Sequence, residues 1–301
     1  MVPRGTLDLR EDKAELEAGR KYRMETGTLK NMPKRSLQGI RRHSPFILVF
    51  SAGLAILFWQ MLVEYRNLPS FILPSPGQVW SRFTQALLDG TLLRHSWVTL
   101  SEILAGLALG ASVATALGYL LAKSRSLERF LSPYIVATQS VPVVAIAPLL
   151  VIWFGTGIFS KVLICAMTVF FPILINTMVG MRSVPENLRE LVRSLKATRW
   201  QTFRLLEVPA ALPVFLGGLR IGATLSVIGA VVGEFVGSDR GLGFLINVGR
   251  GLYDTALVFV SIFSLIVMAM SLYGLVVLLE SRLLSWQRSP DQSVASIQGV
   301  E

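Results

Sequence analysis

Residues 158–181 read IFSKVLICAMTVFFPILINTMVGM, a stretch of 24 residues in which Lys161 is the only charged residue. A helix needs about 20 mostly apolar residues to cross the roughly 30 Å of hydrocarbon in a bilayer. The strands of a membrane barrel alternate between apolar and polar residues over about ten positions, whereas this stretch is continuously apolar. It therefore predicts a membrane-spanning helix.

Five further stretches of the chain have the same character. The 301 residues are 52% hydrophobic and only 16% charged, whereas an average soluble domain is about 25% charged. We expect an all-α integral membrane protein whose transmembrane domain, 45–285, lies between an N-terminal tail, 1–44, and a C-terminal tail, 286–301. Its six predicted spans are residues 45–63, 98–122, 133–154, 158–181, 212–236 and 256–279.

The N-terminal tail is long and basic, and Met24 and Met32 are alternatives to Met1 as its true start. Because the first apolar stretch begins only at Pro45, we expect a retained helix and not a cleaved signal peptide.

The distribution of basic residues predicts the orientation. Lys and Arg number 22 in residues 1–44, 123–132, 182–211 and 280–301, but only 5 in the remaining loops. Basic residues in short loops stay on the cytoplasmic side. We therefore expect a multi-pass protein of the cell membrane with both termini in the cytoplasm. The net charge of +10 then reflects topology and a secondary attraction to anionic membrane lipid, and not nucleic-acid binding.

Several classes of chemistry lack their residues in this sequence. The single cysteine, Cys165, excludes a disulfide framework, and the two histidines, His43 and His95, exclude most His-rich metal sites. The chain has no Gly-x-x-x-x-Gly-Lys-Ser/Thr loop, no His-Glu-x-x-His, no Gly-x-Ser-x-Gly and no evident close pair of carboxylates at membrane depth. We therefore predict no catalytic residues, no metal and no cofactor. We expect a transport protein that is not an enzyme.

Loop 182–211, RSVPENLRELVRSLKATRWQTFRLLEVPAA, is too regular to be a simple connector. Ser183 and Glu186, with Pro185 in the first turn, predict a capping box at the start of a helix. An apolar stripe then recurs at helical spacing, formed by Leu188, Leu191, Val192 and Leu195. Such a helix either lies on the lipid surface or inserts into a groove on a cytoplasmic partner, and periodicity does not decide between them.

The same loop resembles the coupling loop of binding-protein-dependent ABC importer permeases, whose pattern is Glu-Ala-Ala, three residues, Gly, nine residues, Ile-x-Leu-Pro. Here Glu190, Leu191 and Val192 stand at the Glu-Ala-Ala positions, and Lys196 stands at the glycine, where it suits a tight turn less well. Leu206, Val208 and Pro209 complete the pattern. Three more stretches resemble the permeases for sulfonates, taurine, nitrate and vitamin precursors: FILPSPGQVW at 71–80, TQSVPVVAIAPLLVIWFGTG at 138–157 and GEFVGSDRGLGFLI at 233–246.

The resemblance implies a type I ABC importer fold. Two permease subunits, expected here to be two copies of this chain, would work with separate ATP-binding subunits and an external solute-binding protein. It also implies contact with the ATP-binding subunit by Glu190, Leu191, Val192, Arg193, Leu195, Lys196, Ala197 and Trp200. The expected substrate is a vitamin or precursor such as riboflavin or a thiamine pyrimidine, with aliphatic sulfonate, taurine or nitrate as the alternative.

A rival class is an ion-coupled secondary transporter. That class would need a buried carboxylate cluster or an inverted repeat, and the sequence shows neither clearly.

Candidate pathway residues lie where the spans are broken or polar. Pro142 and Pro148 interrupt the third span beside Gln139, which suits either a polar pathway wall or a kink satisfied by neighbouring hydroxyls. The further candidates are Asn176, which an interhelical hydrogen bond also explains, Arg220, which needs an acceptor, and Glu234, at a pathway entrance or in interfacial water. For Glu102 and Lys161 we expect snorkelling to the membrane surface. For Gly106, Gly110 and Gly118 we expect close helix packing.

Overall fold

A computed structural model describes residues 45–285, and all the regular elements in that range are helical. The predictions for residues 1–44, including the starts at Met24 and Met32, and for 286–301 lie outside the described residues. The helices are α1 Pro45–Arg66, α2 Pro76–Leu88, α3 Thr91–Lys123, α4 Arg125–Gln139, α5 Val143–Phe154, α6 Ile158–Arg182, α7 Glu186–Ser194, α8 Arg199–Thr202, α9 Val208–Gly237, α10 Leu242–Gly251 and α11 Thr255–Leu283. A π-helical turn, Phe203–Glu207, joins α8 to α9.

Four helical runs in this range are long and apolar enough to cross a membrane: α3, α6, the continuous run Arg199–Gly237, and α11. The pair α4–α5 would make a fifth, but the two helices meet at 91°. The expectation of one span over 133–154 therefore stays a prediction, while the interruption expected from its prolines is present as a break in the middle. The break lies at Pro142, which has no N–H to donate and disfavours helix in the residue before it.

Two of the short helices, α2 and α10, lie in the loops between predicted spans at 64–97 and 237–255. The first, α2, begins with a capping box: Ser75 Oγ accepts the N–H of Gln78 at 3.3 Å, and Gln78 Oε1 accepts the N–H of Ser75 at 2.9 Å. Pro76 at the first helical position loses nothing, because its missing N–H would have no partner inside the helix. The Leu-Pro-Ser-Pro element at 73–76 is thus the start signal of this helix.

The core of the bundle is α6, which packs between α3 and α9. A Cβ added at Gly110 of α3 would lie 3.0 Å from Ala166 Cα, and one at Gly229 of α9 would lie 2.8 Å from Cys165 Cα. Gly106 and Gly118 meet α6 equally closely. The expected role of these α3 glycines in close packing is confirmed, and glycines of α9 play the same role on the other face of α6. Small residues of this kind drive helix association in membranes because they let backbones approach.

Adjacent glycines of α9 test this packing. A Cβ at Gly218 would lie 2.5 Å from Asn176 Cβ, whereas one at Gly217 would meet nothing within 4 Å. We expect Gly218→Ala to lower the free energy of unfolding by about 1–3 kcal/mol through overpacking. Gly217→Ala should leave it unchanged or raise it by up to about 1 kcal/mol through helix propensity. Thermal unfolding of the two purified variants in detergent measures the difference, and equal melting temperatures would contradict the packing account.

A buried polar cluster, formed by Thr99, Glu102, Lys161 and Glu234, lies at the end of the bundle opposite α7. Glu102 is 1% exposed and Lys161 is 4% exposed, with Lys161 Nζ 3.3 Å from Glu102 Oε1. Glu234 is equally buried and lies beside both. The expectation that Glu102 and Lys161 snorkel is therefore wrong, and so is the expectation of no close carboxylate pair. Both side chains turn inward because each finds an opposite charge on a neighbouring helix.

This cluster holds the start of α10. The N–H of Gly243 donates to Glu234, and the N–H of Leu242 donates to Thr99 Oγ1, which in turn donates to Glu234 Oε1 at 2.6 Å. His95 Nδ1 accepts the N–H of Gly241 at 2.9 Å. Gly241 has φ +108°, and a Cβ there would overlap the carboxyl group of Glu234. Glycine is thus required both by the backbone and by the closeness of Glu234.

Removing the lysine should leave an uncompensated buried carboxylate. We expect Lys161→Met to lower the free energy of unfolding by about 3–5 kcal/mol, as when one partner of a buried ion pair is lost. Lys161→Met/Glu102→Leu should recover part of that loss, since both charges of the pair are then absent. Melting temperatures of the purified variants in detergent provide the measurement. If Lys161→Met alone had the same melting temperature as the unsubstituted chain, the ion pair would contribute nothing to stability.

Candidate functional site

Loop 183–198 joins α6 to α8 and contains α7, as the apolar stripe predicts. The start of α7 differs from the expectation: Pro185 is the N-cap, and it has no side-chain capping bond. Ser183 instead ends α6, where its hydroxyl donates to the carbonyl of Gly180 at 2.8 Å. The predicted capping box of Ser183 and Glu186 is therefore wrong, because the preceding helix uses the serine first.

The end of α7 is a tight turn with Lys196 at its centre. Lys196 has φ +53°, in the left-handed region. Its N–H donates to the carbonyl of Arg193 at 2.9 Å, and the N–H of Ala197 donates to the carbonyl of Val192 at 3.2 Å. This is the Schellman arrangement, in which glycine is usual at the left-handed position. The turn that a glycine would allow therefore forms here with a lysine, and the two backbone bonds offset its strain.

The chain re-enters a helix directly after this turn. Thr198 and Gln201 form a capping box: Thr198 Oγ1 accepts the N–H of Gln201, and Gln201 Oε1 accepts that of Thr198 at 2.8 Å. Trp200 then stacks on Phe203, with ring centroids 5.5 Å apart. Phe203 also meets the ring of Tyr119 of α3 edge-on. The loop is thus a helix–turn–helix whose second helix continues into α9.

Ion pairs tie this loop to the bundle. Arg182 forms a two-pronged contact with Glu128 of α4, at 2.6 and 2.7 Å. Arg189 donates to the carbonyl of Met181 at 2.9 Å. Buried Glu207 pairs with Lys123 of α3 and lies 4.0 Å from Arg189. The sequence does not reveal these partners, although an acid at the membrane end of a span was a usable signal for Glu207.

The apolar stripe of α7 is uncovered in the part of the chain that the structure describes. No residue of α7 is buried. Leu191 is 55% exposed, Leu195 is 72% exposed, and Trp200 is also exposed. Of the remaining residues that the resemblance assigns to this surface, Glu190, Arg193 and Lys196 are exposed, while Val192 and Ala197 are half-buried. We call the exposed side chains of Leu188, Leu191, Leu195 and Trp200 the docking face.

The candidate pathway residues Gln139 and Pro142 are exposed at the break between α4 and α5. Hydroxyls beside the break bond within their own helix: Thr138 Oγ1 donates to the carbonyl of Tyr134 at 3.0 Å, and Ser140 Oγ donates to that of Val136 at 3.2 Å. These hydroxyls bond to carbonyls in the turn before the break and not to the carbonyl of Thr138 that Pro142 leaves without its helical partner, so the two alternatives stay open, and Gln139 is exposed where it could face a pathway.

The other three candidates bond inside the bundle, and only Arg220 does so as the sequence predicts. Asn176 donates to the carbonyl of Pro172 in its own helix at 2.7 Å, so the expected interhelical bond is not formed. Arg220 finds its acceptor in Glu280 of α11 and lies over the ring of Tyr273. Glu234 neither lines an open entrance nor reaches interfacial water, because the start of α10 covers it. The structure therefore does not bring these three together with Gln139 and Pro142.

Among residues 45–285, no group of three or more His, Cys, Asp and Glu side chains is arranged to hold a metal ion. The main features of this range are a closely packed helix bundle, an amphipathic helix attached to it, and a helix pair broken at Pro142.

Known proteins are similar to this chain, some in sequence and others in fold. The riboflavin transport system permease protein RibX of Chloroflexus aurantiacus is 50% identical over 236 residues, which is 78% of this chain and 88% of the relative. The formylaminopyrimidine transport permease protein ThiX of Halalkalibacterium halodurans is 36% identical over 85% of this chain and 99% of the relative. The taurine transport system permease protein TauC of Escherichia coli is 30% identical over 77% of this chain.

A solved structure of the methionine ABC transporter MetNI in an inward-facing conformation has the same fold. Its TM-score is 0.57 at 20% sequence identity, and the match covers 65% of this chain and 97% of that one. The family model described as "Binding-protein-dependent transport system inner membrane component" matches residues 106–285. That match contains α6, α9, α11 and the loop with α7 in full, and α3 from Gly106 onward. The chain therefore belongs to the family of binding-protein-dependent transport system inner membrane components, the membrane-spanning permeases of ABC importers.

Proposed function

We propose that this permease imports riboflavin or a similar heterocyclic vitamin precursor. In this proposal it works with separate ATP-binding subunits, an external solute-binding protein and a second copy of itself. The 50% identity with a riboflavin permease over 88% of that relative carries the choice of substrate. The outer loops predicted from the sequence, 64–97 and 237–255, carry almost no net charge, which suits a neutral solute better than a sulfonate. The acidic side chain of Glu102 does not bear on the choice between neutral and anionic substrates, because it pairs with Lys161 inside the bundle.

The docking face carries the proposal that an ATP-binding subunit binds here. Its leucines project from a helix that is tied at both ends: Arg189 donates to the carbonyl of Met181 at the end of α6, and the turn at Lys196 leads through α8 into α9. An amphipathic helix that only rested on lipid would not need this rigid attachment to two membrane helices. A helix with an uncovered apolar face suits the groove of a partner protein. Movement of that partner would pass directly into α6 and α9.

The uncovered surface of α4 supports a second copy of the chain. No residue of α4 is buried, and its aromatic side chains Phe130 and Tyr134 are exposed along the helix that leads to the break at Pro142. A pathway between two copies would place Gln139 and Pro142 at its wall. In that arrangement both termini and the docking face lie in the cytoplasm, as the distribution of basic residues predicts. Asn176, Arg220 and Glu234 then act in helix packing and not in contact with solute.

A charge on the docking face should prevent binding of the ATP-binding subunit. We expect Leu195→Asp to reduce the amount of this subunit that co-purifies with the permease by about tenfold or more, the effect of losing one interface hot spot. The fold should survive, since Leu195 is largely exposed in the chain itself. Leu88→Asp is the matched control, because Leu88 is 87% exposed at the C-terminal end of α2, outside the coupling loop. Full co-purification by the Leu195 variant would refute the assignment of this surface.

Uptake measurements test the substrate. Vesicles are prepared with the permease in the membrane, its ATP-binding subunit and ATP inside, and the binding protein outside. They should accumulate labelled riboflavin. Excess unlabelled riboflavin should suppress the signal, whereas taurine should not. Accumulation of taurine or an alkanesulfonate in place of riboflavin would contradict the substrate proposal, and uptake by the permease alone under an ion gradient would contradict the transport class.

A further inference from the structure

An apolar groove opens beside the loop that carries α7. It is a cavity of about 990 Å³ between α3, α6 and α9, and its walls include Ala111 and Ala116 of α3 and Leu212 and Phe215 of α9. All three helices are long and apolar enough to cross the membrane. The walls of the groove therefore belong mainly to helices that we expect to reach the depth of lipid acyl chains.

A basic pocket of about 500 Å³ adjoins the groove. Lys123, Arg189, Arg193 and Arg199 contribute four cationic side chains to its lining, and Glu207 contributes the carboxylate. Tyr119 and Arg199 line both cavities, so the two spaces meet at these residues. The two adjoining cavities thus combine an apolar part on the predicted membrane helices with a cationic part beside the loop.

The charges of the pocket do not cancel. Glu207 pairs with Lys123 and lies 4.0 Å from Arg189. Glu186 lies 3.9 Å from both Arg189 and Arg193. Arg199 forms no ion pair with any residue in the range 45–285. Two carboxylates thus face four cations, which leaves a positive surplus at the mouth of an apolar groove.

We infer that the groove and the basic pocket together bind one anionic phospholipid. Its phosphate occupies the basic pocket, where guanidinium groups offer paired N–H donors that match phosphate oxygens. Its acyl chains lie in the groove. Basic pockets between membrane helices at the headgroup level are recognised sites for anionic lipid headgroups. Tyr119 and Trp200 stand at the junction, where aromatic rings with a polar edge are favoured.

The apolar groove is what selects a lipid over a free anion. A soluble phosphate would use only the basic pocket and would leave the groove unfilled. A zwitterionic lipid would fill the groove but would gain less from the surplus positive charge. The inference does not depend on the docking of an ATP-binding subunit, because the leucines Leu188, Leu191 and Leu195 of the docking face line neither cavity, and only Trp200 belongs to both the docking face and the groove.

Lipid binding to the full-length chain tests the site. Native mass spectrometry of the detergent-purified chain compares phosphatidylglycerol, phosphatidylcholine with the same acyl chains, and inorganic phosphate. We expect phosphatidylglycerol to bind several-fold more tightly than phosphatidylcholine, and inorganic phosphate not to compete. Arg199→Gln should weaken phosphatidylglycerol binding about fivefold, the effect of one basic residue near an anionic headgroup, and leave phosphatidylcholine unchanged.

Two further variants keep the test sharp. Ala116 is exposed to the groove, so Ala116→Phe should obstruct the acyl chains and weaken both lipids without disturbing the buried core. Arg94→Gln, an exposed arginine near the other end of α3, is the matched control and should change nothing. Equal affinity for the two lipids, competition by inorganic phosphate, or equal effects of the Arg199 and Arg94 variants would each overturn the inference.

Discussion

The close approach of α6 to α3 and α9 is the constraint on which the rest of this structure depends. Glycines of α3 and α9 face α6, and at Gly110 and Gly229 a single added carbon would collide with its backbone. In a bilayer no hydrophobic effect draws helices together, so contact at this distance must come from shape and polar bonds. The three-helix core is therefore closely packed, and a polar cluster and the loop with α7 are attached to its two ends.

The two ends are attached by different means. At one end, buried polar side chains of α3 and α9 hold the start of α10 through successive backbone N–H groups, from Gly241 to Gly243. At the other end, arginines of α6 and α7 anchor a loop whose apolar face stays uncovered. At the first end, the polar groups bond to other groups of the same chain, so few of them are available to bind a partner. The second end keeps its leucines available, which is the arrangement expected of a surface that receives force from a partner.

Sequence patterns predicted the features that depend on local chemistry. Apolar length identified the membrane helices, Pro142 located the break, and the spacing of Leu188, Leu191 and Leu195 identified α7. The features that depend on distant residues were not predictable. Nothing local shows that Glu102, Lys161 and Glu234 lie at one depth on facing sides of three helices, or that Arg220 meets Glu280 sixty positions later. Competition between adjacent helices explains one wrong prediction. Ser183 matches a capping box for α7, but its hydroxyl bonds to the carbonyl of Gly180 at the end of α6.

The central claim is that the docking face of α7 contacts an ATP-binding subunit directly. Site-specific cysteine crosslinking in the assembled transporter measures this contact, and the background is clean because the single native cysteine, Cys165, is buried. The account predicts that Leu191→Cys and Leu195→Cys each form an adduct with the ATP-binding subunit, while Leu88→Cys on α2 forms none. Adducts from neither α7 position, with the same reagent labelling only lipid there, would contradict it.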